Sequence, residues 1–197
     1  MKKFLKVSAL ILCAVVALGA CSAWADDFQE TLKKARNGDA EAQYELGCMY
    51  DYGDEIQQDS KEAVQWYKKA AEQGHGDAQV SLGYMYSRGL GVKQDNSEAV
   101  RWWRMAAEQE SAEAQYNLGL AYYEGEGVKQ NYSEAVKWWR KAAEQGLPRA
   151  QYNLGVCFYK GRGVRENMDE AVKWLRMAAR QGDSESQKVL TEIDETW

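Results

Sequence analysis

The sequence predicts an all-α fold, a right-handed superhelical solenoid of α/α hairpins. Two sequence motifs, here called the first and second phrase, recur together every 36 residues. The first contains Ala-Gln and Leu-Gly, and the second contains Glu-Ala-Val, a Trp followed by an aromatic residue or leucine, and an Ala pair. A fixed period of this size is typical of units that bury their apolar faces only by stacking on neighbours. The single proline also favours helix. The first phrase stands at 42–47, 78–83, 114–119 and 150–155, and the second at 62–71, 98–107, 134–143 and 170–179.

This periodicity predicts the division of the chain. Each repeat contains a first helix, here called helix A, and a second, helix B. A segment that lacks the Trp of the second phrase precedes the repeats, and a half-repeat follows them, so both are expected to cap the open ends. We expect removal of the last segment to expose Leu154 and Phe158. The predicted segments are a signal peptide at 1–25, an N-terminal capping helix at 27–37, repeats at 39–74, 75–110, 111–146 and 147–182, and a C-terminal cap at 183–197.

The first 25 residues are typical of an export signal, because three lysines precede an apolar run from Val7 to Ala20. The run is too short for a comfortable membrane span. Two processing sites compete. Ala23-Trp24-Ala25 before an acidic pair favours cleavage after Ala25, which places the protein in the periplasm or outside the cell. Leu18-Gly19-Ala20-Cys21 resembles the bacterial lipobox, and lipidation of Cys21 would instead make an outer-membrane lipoprotein with no other membrane contact.

The charge and the cysteines exclude several classes of protein. Removing the three lysines of the signal leaves 22 basic and 30 acidic residues, a net charge of −8, which argues against nucleic acid as a partner. Cys48 and Cys157 lie three repeats apart, far beyond the ~7 Å between Cα atoms that a disulfide can bridge. With one histidine, His75, no zinc set can assemble from His and Cys. No cofactor is predicted.

The sequence also predicts how helix B begins. Asp or Asn stands at each expected N-cap, and Glu stands three residues later, as in a capping box with reciprocal hydrogen bonds. Pro148 falls in the first turn of a helix A, where proline costs least. The glycine that ends the first phrase allows two crossing helices to approach closely. The N-caps are Asp59, Asp95, Asn131 and Asn167, and the N3 residues are Glu62, Glu98, Glu134 and Glu170.

Three features that resemble ligand sites are better explained by the fold. The Gly-x-Gly segments at 89–91, 125–127 and 161–163 follow helices, not strands, so they predict turns with positive φ rather than phosphate loops. His75 lacks an oriented partner in the sequence, which favours a surface or capping role over catalysis. The aromatic pairs repeat with the fold, so they predict core packing rather than a ligand platform. These pairs are Trp66-Tyr67, Trp102-Trp103, Trp138-Trp139 and Trp174-Leu175.

The repeat resembles the Sel-one-like repeat (SLR), a branch of the tetratricopeptide-type helical repeats. The resemblance rests on A-x-A-Q-Y-x-L-G, a following aromatic, G-x-G-V, E-A-V-x-W and A-A, over about residues 39 to 190. Repeat one departs from it where Glu55 and Ile56 replace the Gly-Val of the other loops. The family resemblance implies a non-catalytic interaction scaffold that holds a peptide or protein in the groove lined by helices A.

The alternative is an enzyme, since some proteins with this repeat have been linked to penicillin binding or β-lactam hydrolysis. Serine β-lactamase chemistry uses Ser-x-x-Lys, and no serine in this chain has a lysine three residues later. Acid pairs such as Asp54-Glu55 lie in loops, which favours solvated rather than catalytic carboxylates. We therefore predict that the protein is not an enzyme.

The positions where the repeats differ carry the prediction of the binding face, because residues that the fold demands recur every 36. On helix A they fall at steps of three and four, hence on one face. Its tyrosines, its carboxylates in repeats one to three and its cation in repeat four favour a largely apolar ligand with some basic character. The face comprises Glu41, Tyr44, Cys48 and Asp51; Asp77, Val80, Tyr84 and Ser87; Glu113, Tyr116, Leu120 and Tyr123; and Arg149, Tyr152, Val156 and Tyr159.

A competing explanation remains for part of this face. Tyr44, Tyr116 and Tyr152 are nearly as well explained by packing against neighbouring helices, whereas Tyr84, Tyr123 and Tyr159 are less so. The predicted partner-binding residues are Tyr84, Arg88, Asn117, Leu120, Tyr123, Asn153, Val156 and Tyr159.

Overall fold

The computed structural model describes residues 28–53 and 56–193. Their regular secondary structure is entirely helical, which confirms the all-α hairpin repeats. None of the helices in these ranges is long and apolar enough to cross a membrane. The proposed signal peptide, with Cys21 and Ala25, lies outside the described residues. The helices are α1 (28–36), α2 (Ala40–Tyr52), α3 (Ser60–Glu72), α4 (Gly76–Arg88), α5 (Asn96–Glu108), α6 (Ala112–Glu124), α7 (Tyr132–Glu144), α8 (Pro148–Lys160), α9 (Met168–Arg180) and α10 (Ser184–Glu192).

The chain forms two compact units, which divide after His75. The described part of the first unit contains α1 to α3. Its core joins Ala35 of α1, Ala42 and Leu46 of α2 and Trp66 of α3. Helix α1 thus covers the start of the first hairpin, as the predicted N-terminal cap requires.

The second unit contains α4 to α10 in its described part. Helices α4 and α5, α6 and α7, and α8 and α9 form hairpins, while α6 packs on α5, α8 on α7 and α10 on α9. Val80 of α4 packs on a core formed by residues of α5 and α6, and Tyr116 of α6 packs on a core formed by residues of α7, α8 and α9. The Arg149 guanidinium carbon of α8 lies 4.3 Å from the centre of the Tyr116 ring, so α6 and α8 are neighbours. The handedness of the superhelix stays a prediction.

The predicted caps of helix B are confirmed, but half of the capping box is wrong. The Asp59 carboxylate accepts hydrogen bonds from the N–H groups of Lys61 and Glu62. The side-chain oxygens of Asp95 and Asn131 accept from two N–H groups of their helices as well, and that of Asn167 accepts from the Glu170 N–H alone. The backbone N–H of each cap residue does not donate to the Glu carboxylate but to a backbone carbonyl of the preceding helix. The Asp59 N–H donates to the carbonyl of Tyr50 in α2 at 2.9 Å, so it ties the loop to the preceding helix. The other three caps donate to Tyr86, Tyr122 and Phe158.

Glycine allows the two helices of a hairpin to approach, as the sequence predicts. A Cβ on Gly119 would lie 2.5 Å from Cδ1 of Trp139, the second aromatic of its pair, and a Cβ on Gly47 would lie 2.5 Å from Cδ1 of Tyr67. The Gly-x-Gly segments have positive φ, with 78° at Gly125 and 71° at Gly127. The loop glycines therefore form turns, and the aromatic pairs pack in the core.

The C-terminal cap covers different residues from those predicted. Leu190 of α10 is fully buried against Val172, Leu175 and Ala179 of α9. Leu154 and Phe158 instead belong to the core between α7, α8 and α9. The expectation that the cap shields Leu154 and Phe158 is wrong, because a half-repeat stacks on the preceding helix B, which is α9.

Candidate functional site

Large apolar side chains are exposed in register on neighbouring A helices of the second unit. Tyr84 of α4 is 49% exposed and Leu120 of α6, 36 positions later, is 39% exposed. Val156 occupies the same register on α8 and is half-buried. Because the three residues occupy equivalent positions in stacked repeats, their side chains follow one row along the stack. We call Tyr84, Leu120 and Val156 the apolar row.

Arginine side chains flank this row. Arg88 lies one turn after Tyr84 on α4, and its guanidinium carbon is 5.9 Å from the centre of the Tyr84 ring. Both side chains are exposed. An arginine in this position attracts anions while it shields part of the ring from water.

The second arginine belongs to the loop after α8. The Arg162 guanidinium carbon lies 5.5 Å from the ring centres of both Tyr123 and Tyr132, and Nη1 donates a hydrogen bond to the Tyr123 hydroxyl. This hydrogen bond raises the pKa of Arg162, so the guanidinium stays charged. Tyr123 itself packs against Trp139, with ring centres 5.2 Å apart. We call Arg162, Tyr123 and Tyr132 the arginine clamp.

One carboxylate of the predicted face, that of Glu113, is neutralised within the protein. Arg149, the cation of repeat four, forms a salt bridge with Glu113 of repeat three. Its guanidinium carbon also lies 4.3 Å from the centre of the Tyr116 ring. Burial raises the pKa of Tyr116 and lowers the pKa of Arg149, while a hydrogen bond between Tyr116 and Asn153 acts against the shift of the tyrosine. These residues hold neighbouring repeats together, and their charges no longer indicate a basic ligand.

The remaining predicted residues are less exposed. Asn117 and Tyr159 are half-buried, and Tyr159 packs on the core between α7, α8 and α9. Tyr152 and Val156 pack on the core between α9 and α10. Burial, followed by the carboxylates of Glu185 and Asp183, raises the pKa of Tyr152. The structure therefore agrees with packing roles for Tyr116 and Tyr152.

The first unit has different chemistry at the predicted face positions of its own helix A. His75 stacks on Tyr44, with ring centres 4.7 Å apart, and its Nε2 lies 3.0 Å from a Glu41 carboxylate oxygen. The Tyr67 hydroxyl lies 3.5 Å from the Cys48 sulfur and 3.4 Å from an Asp51 oxygen. Burial raises the pKa of Asp51 and of Tyr67. Within the described ranges, no group of three or more His, Cys, Asp and Glu side chains is placed to hold a metal ion.

A comparison with known protein families explains this architecture. The family model of the Sel1 repeat matches residues 40–75, 76–111, 112–147 and 148–183. The chain belongs to the Sel1 repeat family. These matches begin one residue later than the repeats drawn from the sequence and cover the hairpins α2/α3, α4/α5, α6/α7 and α8/α9.

Solved structures of Sel1 repeat proteins are similar to this one. A protective antigen of uropathogenic Escherichia coli with an SLR fold is 42% identical, with a TM-score of 0.81 over 83% of this chain and 35% of that chain. A Sel1 repeat protein from Oxalobacter formigenes is 36% identical, with a TM-score of 0.81 over 90% of this chain and 73% of that chain. The chain thus spans about a third of the antigen's length.

An immunity protein from Pseudomonas aeruginosa shares the fold alone. It is 20% identical, with a TM-score of 0.52 over 83% of this chain and 59% of that chain. The chain has no significant match among curated proteins.

Within each unit, glutamine side chains link neighbouring helices in a ladder that the sequence analysis missed. The invariant glutamine of the first phrase is buried, and in Gln151 its amide nitrogen donates to the Ala143 carbonyl at 3.1 Å. Its oxygen accepts a hydrogen bond from Gln181, 30 residues later, at 2.9 Å. The signal was present in the sequence, since a glutamine also recurs at the end of each helix B. The other pairs are Gln43 with Gln73, Gln79 with Gln109 and Gln115 with Gln145.

Proposed function

We propose that this Sel1 repeat protein is a non-catalytic interaction protein that binds a peptide or a protein partner on the A-helix face of its second unit. The observation that carries the proposal is the apolar row. The leucine of the first phrase is fully buried in all four repeats, whereas Tyr84 and Leu120 are exposed at positions equivalent to each other. An exposed row of aromatic and aliphatic side chains rimmed by charge is typical of a protein interface.

The names of the similar structures suggest no reaction. The similar structures include a protective antigen and an immunity protein, and neither description is that of an enzyme. The chain also lacks the Ser-x-x-Lys motif that serine β-lactamases need. Hydrolysis of a chromogenic cephalosporin by the purified wild-type protein would contradict the non-catalytic assignment.

The binding test compares two exposed apolar surfaces of the same protein. The variant Tyr84→Ala/Leu120→Ala removes the two exposed members of the apolar row, and neither residue belongs to a core cluster. Met105→Ala is the matched control, because Met105 is 37% exposed on helix B of the second repeat. In affinity purification from an extract of the native host, we expect the control to retain the partners of the wild type and the double variant to lose them. Retention of every partner by a folded double variant would refute the assigned face.

We also propose that the protein acts in the bacterial cell envelope. The proposal rests on the lysines and apolar run of residues 1–25. The mass of the mature protein from its native host tests it. A chain that begins at Asp26 supports a periplasmic or secreted protein, and a lipid adduct on Cys21 supports an outer-membrane lipoprotein. An unprocessed chain that begins at Met1 contradicts both.

A further inference from the structure

We propose that the arginine clamp recognises an acidic side chain of the partner. The bound segment places a large apolar side chain on the apolar row and an adjacent Asp or Glu carboxylate on Arg162. This inference rests on the proposed binding face and specifies which partner that face accepts. It also reverses the basic character that the sequence predicts for the ligand.

Among the described residues, Arg162 has no carboxylate partner. Two other arginines of the second unit form salt bridges, Arg149 with Glu113 and Arg101 with Glu98. Across the described part of the chain, no carboxylate lies within salt-bridge distance of Arg162, whose polar contact is the uncharged hydroxyl of Tyr123. A guanidinium carries five N–H donors, so most of its capacity faces solvent.

The Arg162 guanidinium is also pre-organised. Two tyrosine rings flank it at equal distance, and one hydrogen bond fixes one of its terminal nitrogens. An arginine held in this way loses little further freedom when it binds, which favours bidentate pairing with a planar carboxylate. A flexible surface lysine has neither the planar geometry nor this restriction.

The position of the arginine clamp beside the apolar row also supports the proposal. Tyr123 follows Leu120 by three residues on α6, so both side chains lie on the same face of the helix. The clamp therefore adjoins the apolar row. Glu124 stands at the register of Arg88 and Lys160 on the neighbouring A helices, so this edge is not uniformly basic. Arg162, rather than net charge, determines where the carboxylate binds.

The sequence contains a weak sign of this role. Arg162 is the central residue of its Gly-x-Gly loop, where the other repeats have Leu90 and Glu126. The loop geometry needs only the flanking glycines, which have positive φ at 161 and 163. The central residue is therefore not fixed by the fold, and in this repeat it carries the cation.

The test uses a displayed library of random 12-residue peptides with blocked ends, selected on the purified wild-type protein. We expect enrichment of peptides in which Asp or Glu adjoins Leu, Phe, Tyr or Trp. One enriched peptide is then synthesised with Glu and with Gln at the acidic position. The wild type should bind the Glu peptide about ten to a hundred times more tightly, as expected for a charge-assisted pair.

Variants assign that preference to the clamp. Arg162→Gln should abolish the discrimination between the Glu and Gln peptides. Tyr123→Phe keeps the aromatic ring but removes the hydrogen bond to the guanidinium, so it should reduce the discrimination. Arg101→Gln is the matched control, because Arg101 is also exposed and stacked on an aromatic ring, that of Trp102 at 4.3 Å. This control should retain the discrimination.

Two results would overturn the inference. They are an enriched set without acidic residues and discrimination that survives Arg162→Gln. If Tyr84→Ala/Leu120→Ala abolishes binding of such a non-acidic set, the proposed face stands and only the clamp assignment fails. If no peptide is enriched, or if the double variant binds as the wild type does, the proposed face fails as well.

Discussion

Replacing Gln151 with Met tests whether the glutamine ladder stabilises the stack of repeats. The side chain is 1% exposed, and the substitution keeps its approximate size while it removes two hydrogen bonds, one to the Ala143 carbonyl and one from Gln181. Both partners keep another bond. The Ala143 carbonyl still accepts from the Gly146 N–H at 3.0 Å, and the Gln181 amide still donates to the Gly146 carbonyl at 3.0 Å.

The expected cost follows from this arrangement. Two neutral hydrogen bonds lost without a stranded partner correspond to about 2 kcal/mol of the free energy of unfolding. For a chain of this size, that loss lowers the melting temperature by about 4–8 °C. Urea unfolding followed by circular dichroism at 222 nm measures it. The double variant Gln151→Met/Gln181→Met should cost less than the sum of the single variants, because one hydrogen bond is common to both.

The control is Gln65→Met, a change of the same type at an exposed position of α3. It should alter the free energy of unfolding by less than about 0.5 kcal/mol. A Gln151→Met variant as stable as this control would refute the structural role of the ladder.

Three further predictions concern packing and reactivity. Gly119→Ala places a methyl group against Trp139 and should lower the free energy of unfolding by about 1–3 kcal/mol. Gly76→Ala adds a Cβ that meets nothing within 4 Å, so it should raise the free energy of unfolding by up to about 1 kcal/mol in the same urea experiment. Deleting residues 184–197 uncovers Val172, Leu175 and Ala179, so the melting temperature should fall and binding of a hydrophobic dye should rise; an unchanged melting curve would contradict a capping role. Burial raises the pKa of Cys157 to about 11, so at pH 8 it stays a protonated thiol, and iodoacetamide with peptide mapping should modify half-exposed Cys48 well before Cys157; equal rates would show that the core around α8 opens readily.

The sequence predicts the helices well because their signals are local. Asp59 caps the helix that it precedes, and Gly125 takes the positive φ that its turn requires, so each residue type is explained within a few neighbours along the chain. The close contact between Gly119 and Trp139 is also predictable, since both positions recur with the same period.

The contacts that the sequence does not predict join residues on different helices. The 36-residue period shows which positions are equivalent but not which residues contact each other. A 36-residue repeat shows that Gln151 and Gln181 each have equivalents elsewhere, but their hydrogen bond depends on how two helices cross. Arg162 and Tyr123 are 39 residues apart and have no equivalent pair in the other repeats, so periodicity gives no sign of their contact. The cap N–H groups were misassigned for a related reason, because the carbonyl of Tyr50 competes with the Glu62 side chain only once the loop has folded back.

The binding face is tested most directly by a photo-crosslinking amino acid at position 120, compared with the same amino acid at position 105, in living cells of the native host. Both natural side chains are exposed to a similar extent, 39% for Leu120 on helix A and 37% for Met105 on helix B. We predict one or a few discrete crosslinked products from position 120 that are missing from position 105, and their loss when Tyr84→Ala is added. Identical products from the two positions, or none from position 120, would contradict a partner-binding role for the A-helix face.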